Sequence, residues 1–295
     1  MEEVVHIRDI QKAYTTVKAL KGVTFSVPRG SVFGVLGPNG SGKTTLLGIL
    51  LDVLKADQGS YEWVGYSEPH QARQQIGSLL ETPNFYSYMS AADNLRISAK
   101  IKGRGEEQID EVLKLVNLFE RRDSRFSSFS LGMKQRLAIA AALLGKPDIL
   151  VLDEPTNGLD PVGISEIRDL IRQLNHSGTT IIMASHLLDE VEKVCTHVAI
   201  LRKGELLTTG SVLDVLNDED RIELDAADRK ALMSALSRNS SLKNLREDGV
   251  VQCSAVDGYT MNQINQYCFE QGIVLTHLVK KKRSLESKFM EITQS

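Results

Sequence analysis

Residues Gly37-Pro38-Asn39-Gly40-Ser41-Gly42-Lys43-Thr44-Thr45 match the pattern G-x-x-x-x-G-K-[ST]. Successive main-chain N–H groups in such a loop form a concave anion site, and a helix N-terminus behind them adds positive potential. Glycines at 37, 40 and 42 let the chain wrap closely around a phosphate without side-chain collision. Lys43 is placed to reach the β- and γ-phosphates of a nucleotide and Thr44 to hold Mg²⁺. As plain structure the same residues are a glycine turn between a strand and a helix.

About a hundred residues later, Ile149-Leu150-Val151-Leu152-Asp153-Glu154 ends an apolar run with two carboxylates. Neighbouring strand side chains point to opposite faces, but at a strand's end both can turn toward one site. Asp153 suits a position beside Mg²⁺, and Glu154 suits a general base that orients an attacking water. An apolar run ending in Asp-Glu is, alone, as readily a solvated strand end. Behind a phosphate loop it defines a P-loop NTPase.

The elements that must hold these residues follow from periodicity. Residues 4–14 and 23–27 read as early strands, the second ended by the turn signal Pro28-Arg29-Gly30. Residues 31–37 carry a buried parallel strand into the glycine loop, and residues 44–54 continue as a helix. Residues 84–146 are largely helical in pattern, with Ile109, Val112, Leu113 and Val116 on one face. Two further buried strands, at 149–152 and 179–185, flank a helix over 162–174. Strands alternating with helices predict a parallel sheet. From about residue 220 the order becomes β-α-β-β-α-β, with a hairpin turning at Glu247-Asp248-Gly249, which fits a small ferredoxin-like α+β domain.

Phe129-Ser130-Leu131-Gly132-Met133-Lys134-Gln135-Arg136, ahead of an apolar helix, resembles the signature sequence of ATP-binding-cassette (ABC) ATPases. Leu131 stands where that family usually has glycine, and Met133-Lys134 replace its glutamine pair, whereas Ser130 and Gly132 are retained. Ser130 is an N-cap type. The resemblance implies that Ser130 and Gly132 meet the γ-phosphate of ATP held by a second subunit. Thr156-Asn157-Gly158-Leu159-Asp160-Pro161 resembles the family's D-loop. His186, thirty-two residues after Glu154, resembles its switch histidine. Tyr14 fits its adenine-stacking aromatic. Glu81 takes the place of the glutamine that usually follows the strand leading into the helical subdomain. The segment from Glu81 to Tyr86, with the Ser-Leu-Gly-Met-Lys signature, resembles ATPases of bacitracin- and lantibiotic-type exporters, which share that glutamate. That likeness puts Glu81 near the metal and the transmembrane contact.

The fold expected is therefore α/β: an ABC-type P-loop ATPase over residues 1–219, with a mixed-sheet core and a helical subdomain at about 84–146, plus an accessory α+β domain over 220–295. The resemblance covers about residues 3–215. It implies ATP and Mg²⁺ as cofactors, Glu154 and His186 as the catalytic pair, and transmembrane permease subunits as partners. One copy of each motif implies a homodimer or a paired homologue. The alternative is an ABC ATPase acting on ribosomes or DNA, or regulating a sensor kinase.

Composition narrows the rest. The 295 residues are 42% hydrophobic and 25% charged with a net charge of −3, and neither part has the basic excess of a nucleic-acid binder. Cys195, Cys253 and Cys268 show no metal-ligand spacing and suit a reducing compartment. The opening residues do not read as a signal peptide, and no apolar stretch reaches the roughly 18–20 residues that cross a bilayer. A location in the cytoplasm, peripheral on the membrane, is expected.

Overall fold

The computed structural model describes residues 2–66, 69–80, 84–216, 221–256, 258–281 and 285–294. The chain divides into two compact units, Met1–Val212 and Leu213–Ser295.

The first unit opens with a hairpin, β1 (Glu3–Tyr14) and β2 (Val17–Pro28). Then come β3 (Val32–Leu36), α1 (Lys43–Leu50), β4 (Gln58–Trp63), α2 (Pro69–Gln75) and β5 (Ile76–Leu79). β4 joins the hairpin in a three-stranded antiparallel sheet of order β2-β1-β4. Both hairpin strands alternate buried and exposed residues over much of their length, the mark of a sheet with one face inward. The inward face supplies Val5, Ile7, Val23 and Val27 to a core shared with Leu46, Leu47 and Leu50 of α1. Phe25 stacks on Phe33 with ring centroids 5.2 Å apart. The Trp63 indole donates to the Leu50 carbonyl across 3.0 Å, satisfying a main-chain acceptor at the end of α1.

The central sheet has the order β5-β6-β7-β3-β8-β9, where β6 is Ile149–Asp153, β7 Thr180–Ser185, β8 His197–Arg202 and β9 Glu205–Ser211. Its first five strands are parallel and β9 is antiparallel to β8. Every residue of β3, β6 and β7 is buried, as strands covered on both faces must be. Leu36 pairs with Ser185 and Asp153 with Ala184, so β3, β6 and β7 end at one level. Such a level of carboxyl ends is where open α/β sheets bind their ligands.

Between β5 and β6 lies the helical block: α3 (Ala91–Lys102), α4 (Ile109–Leu115) and α5 (Leu131–Leu143). Ser90 caps α3 by accepting from the Asp93 N–H at 3.1 Å, and Gly103 ends it in the left-handed region. Lys102 donates to the carbonyls of Ala141, Ala142 and Leu144, at 2.8, 2.9 and 3.3 Å, and so closes the C-terminus of α5. Burial pulls its ammonium down to about 8. After β6 come α6 (Pro161–His176), α7 (Leu188–Val194) and, past β9, α8 (Val212–Leu216).

The second unit holds β10 (Arg221–Ala226), α9 (Arg229–Leu236), β11 (Leu242–Asp248), β12 (Val250–Ala255), α10 (Met261–Glu270), β13 (Leu275–Lys281) and α11 (Leu285–Gln294). Its sheet has the order β11-β12-β10-β13 with every neighbour antiparallel. That is the ferredoxin-like arrangement, in which each helix connects two strands separated by an inserted one. Leu232, Leu236, Ile264 and Cys268 from the helices pack with Ile222, Leu224, Val251 and Cys253 from the sheet. Thr260 and Gln263 form a capping box at the start of α10. All three cysteines are free and buried; burial raises each thiol, that of Cys253 to about 12.

The basic run at 280–283 lies in part outside the described residues. Among the described residues, no helix is long and apolar enough to cross a membrane.

Candidate nucleotide-binding and hydrolytic site

The loop at 37–42 leaves the buried end of β3 and enters α1 at Lys43. Its shape depends on the missing side chains at Gly37 and Gly42. Gly37 has φ +154°, and a Cβ there would lie 2.2 Å from the Leu201 carbonyl oxygen; Gly42 has φ +107°, and a Cβ there would lie 2.5 Å from the Ala19 carbonyl oxygen. Two main-chain segments therefore press on the loop, one from β2 and one from β8. The turn after β8 is tied in as well, because the Gly204 N–H donates to the Ser41 carbonyl at 3.1 Å. Pro38, Asn39, Gly40 and Thr44 are exposed and Thr45 is half-buried. Among the described residues, the buried Ser41 hydroxyl has no hydrogen-bond partner. A glycine-walled loop with exposed main chain at a helix N-terminus is fitted to an anion.

Lys43 is buried beneath this loop. Its ammonium donates to the Gly37 carbonyl at 2.8 Å and the Pro38 carbonyl at 3.3 Å, and stands 3.3 Å from Glu154 Oε1. On the other side, His186 Nδ1 lies 2.8 Å from Glu154 Oε2, and the His186 main-chain N–H reaches the same oxygen at 3.4 Å. Lys43, Glu154 and His186 thus form one cluster from three segments, set by the common level of β3, β6 and β7.

Glu154 achieves this by leaving the strand conformation. Its φ is +47°, in the left-handed region where side chains other than glycine are rare, and its N–H is held by the Ala184 carbonyl at 3.0 Å. Asp153, the last residue of β6, is 4% exposed. The buried Asp153 carboxylate and the exposed Thr44 hydroxyl are hard oxygen donors of the type a small divalent cation takes.

Tyr14 ends β1 opposite Val17 and is 44% exposed, with the Lys12 ammonium 5.7 Å from its ring centroid. It lies on the hairpin whose second strand touches Gly42 through Ala19. Ser130 caps α5, accepting from the Met133 N–H at 3.3 Å. Gly132 faces Leu159 of the turn after Glu154. Among the described residues, no hydrogen bond joins Ser130 or Gly132 to the phosphate loop of the same chain. Asp160 caps α6 through the Gly163 N–H at 2.8 Å. Glu81 lies outside the described residues.

Two main-chain groups and two side-chain tethers lay beyond sequence reasoning. The Ala19 and Leu201 carbonyls shape the loop with main chain, which carries no residue signal. Arg136, whose guanidinium stands 3.5 Å from Glu166 Oε2, ties α5 to α6. Asn94, 1% exposed, accepts from the Tyr86 N–H at 2.8 Å and donates to the Tyr86 and Ser90 carbonyls, which fixes the chain just after residue 84. A polar residue inside an apolar helical pattern was the available clue to it.

Fold and site together define a nucleoside-triphosphate-hydrolysing cassette. The ABC transporter family model matches residues 20–157. The bacitracin transport ATP-binding protein BcrA of Bacillus licheniformis is 35% identical over 99% of this chain and 98% of its own. The lantibiotic transport ATP-binding protein SrtF of Streptococcus pyogenes is 37% identical over 68% of this chain and 88% of its own. Among solved structures, an ATP-binding subunit of an ABC transporter superposes with TM-score 0.65 at 29% identity, over 72% of this chain and 91% of that one. A dimeric post-hydrolysis cassette bound to ADP and Pi gives TM-score 0.64 at 26% identity, over 70% of this chain and 98% of that one. The chain belongs to the ATP-binding subunits of ABC transporters, a family of ATPases.

Proposed function

We propose that this chain powers an exporter, closing head to tail with a second copy or a paired homologue over MgATP and driving separate transmembrane permease subunits. The cluster of Lys43, Glu154 and His186 at the strand ends is the observation that carries this reading. Relatives named for bacitracin and lantibiotic transport support the transport reading.

In this account the main chain of residues 37–45 cradles the phosphates, Tyr14 stacks on the adenine, and Lys43 exchanges its loop carbonyls for the β- and γ-phosphates. Thr44 and Asp153 hold Mg²⁺, which when bound neutralises charge on the phosphate oxygens. Glu154, released from Lys43, accepts the proton of the attacking water, and His186 fixes the Glu154 carboxylate and the γ-phosphate. Ser130 and Gly132 present the N-terminus of α5 to the nucleotide of the partner subunit. Asn94 and the helical block pass closure to the permease. The protein works peripherally on the cytoplasmic face of the membrane and takes no nucleic acid.

The test is a pull-down of tagged Glu154→Gln protein from its native cells with MgATP present. Recovery of a multi-span hydrophobic protein from the membrane fraction is expected. Recovery only from the soluble fraction, with ribosomes, DNA or a kinase, would overturn the transport reading.

A further inference from the structure

The end of β1 that carries Tyr14 is fastened to the start of β4 by one carboxylate. β1 pairs with β4 only as far as Gln11, opposite Gln58, so the Ala13 N–H lies beyond the last of that pairing. Asp57, the residue before β4, continues the connection with its side chain. Its Oδ2 accepts the Ala13 N–H at 2.7 Å, and its own N–H donates to the Gln11 carbonyl at 2.9 Å. Its Oδ1 accepts from the Lys12 ammonium at 2.7 Å. Two apart on one strand, Lys12 and Tyr14 share a face, and the ammonium stands 5.7 Å from the Tyr14 ring centroid. The Lys12 side chain is only 17% exposed, so the ammonium is held there rather than solvated freely. The Lys12 ammonium and then the Ala13 N–H hold the Asp57 carboxyl below its ordinary range, which keeps the tether charged at neutral pH.

We infer that Lys12 and Asp57 are positioning residues for base recognition: they hold the Tyr14 ring with one face backed by an ammonium and the other open to a purine. The inference rests on the reading of Tyr14 as the base-stacking residue proposed above. An isolated surface ion pair contributes little. Here the same carboxylate also fixes the main chain one residue before the ring, so the pair acts through geometry. A half-exposed ring at a hairpin end must be ordered when a base lands on it, and a tether that orders it beforehand removes that loss from binding. The ammonium adds a second effect. A cation over a tyrosine ring is attracted to its π-face. It keeps a base from that face and draws electron density from the opposite one, which suits an electron-rich purine. Among the described residues, no hydrogen bond or ion pair joins Lys12 or Asp57 to the loop at 37–45. Their contribution therefore belongs to the base and not to the phosphates.

The experiment uses the full chain and compares the affinity for MgATP with that for magnesium tripolyphosphate, which has the phosphates and no base. Lys12→Met is expected to weaken ATP binding about fivefold, the upper range for a cation over an exposed ring. Tripolyphosphate affinity should stay native, which also shows that the variant is folded. In steady state KM should rise while kcat at saturating ATP changes less than about twofold, the pattern of binding lost equally from ground and transition states. Lys12→Arg, which keeps the cation, should restore ATP affinity. Asp57→Ala frees both the ammonium and the Ala13 N–H and should weaken ATP binding at least as much as Lys12→Met. In a Tyr14→Ala background neither substitution should weaken ATP binding further, the non-additivity expected of groups that act through one ring. Native ATP affinity in Lys12→Met would overturn the inference. So would an equal loss for ATP and tripolyphosphate, or an unchanged effect without Tyr14. Tyr14→Ala separates the layers. If it weakens ATP binding while Lys12→Met does nothing, only the positioning role fails; if it too binds ATP as the native chain does, the stacking reading fails with it.

Discussion

His186 Nδ1 and Glu154 Oε2 lie 2.8 Å apart although thirty-two residues separate them in the chain. The register of β6 and β7 brings the two together, and the left-handed backbone of Glu154 turns its carboxylate toward the imidazole. The second oxygen faces Lys43 at 3.3 Å. One carboxylate is thus held between an ammonium and an imidazole before any substrate arrives, an arrangement suited to a base that must be aimed.

Replacing His186 with Ala should therefore lower turnover more than binding. Loss of an orienting partner for a general base is expected to reduce kcat roughly 10²-fold, within the range of such contributions. ATP affinity should stay within about threefold of native, because the phosphate loop is untouched. Steady-state kinetics and equilibrium titration on the same preparation separate the two effects.

Gly42→Ala should abolish nucleotide binding rather than weaken it. The added methyl would sit 2.5 Å from the Ala19 carbonyl and 2.8 Å from Leu20, at a φ of +107°. The backbone conformation alone costs on the order of 1–3 kcal/mol, and the hairpin behind it must also shift. Calorimetric titration with ATP should show no saturable heat, while the second unit keeps its fold.

How much of this was legible in advance differs by element. The Gly37–Thr45 loop and the Asp153-Glu154 strand end were readable because their chemistry requires particular residue types at fixed spacing. The β-α-β-β-α-β order was readable because each helix and strand there is short, capped and strongly patterned, as at Thr260 and Gly249. The β2–loop contact was not, because Ala19 and Leu201 act through carbonyl oxygens that every residue has. β2 also proved longer than its apolar stretch at 23–27, since the residues from Val17 onward are positioned by pairing with β1 rather than by burial. The φ of Glu154 had no sequence signal at all, being imposed by neighbours rather than by glycine.

Asn94→Leu should loosen the segment from Tyr86 to Ser90. The substitution leaves the part-buried Tyr86 N–H without its acceptor and two carbonyls without their donor, a loss of about 1–3 kcal/mol in local stability. Hydrogen exchange at residues 86–90 should quicken strongly, while ATP affinity is preserved. Unchanged exchange there would remove Asn94 from the coupling route.

Lys102 gives a pH signature. Its folded-state value, about 8, lies below the ordinary 10.5, so the unfolded chain binds the proton more tightly between those values. The penalty for burying the ammonium is complete below pH 8 and is relieved as pH rises toward 10.5. The stability of the native chain relative to Lys102→Met should therefore climb across that window, as followed by thermal melts at matched ionic strength. A flat difference would show that the amine is not charged and buried as described.

The most direct test of the central claim is made on full-length Glu154→Gln protein, comparing hydrolysis and molecular mass by light scattering with and without MgATP. With Glu154 as base and two chains closing over nucleotide, turnover should fall at least about 10²-fold and the protein should run as a dimer that retains ATP. Near-native turnover, or a chain that binds MgATP and stays monomeric, would contradict the account.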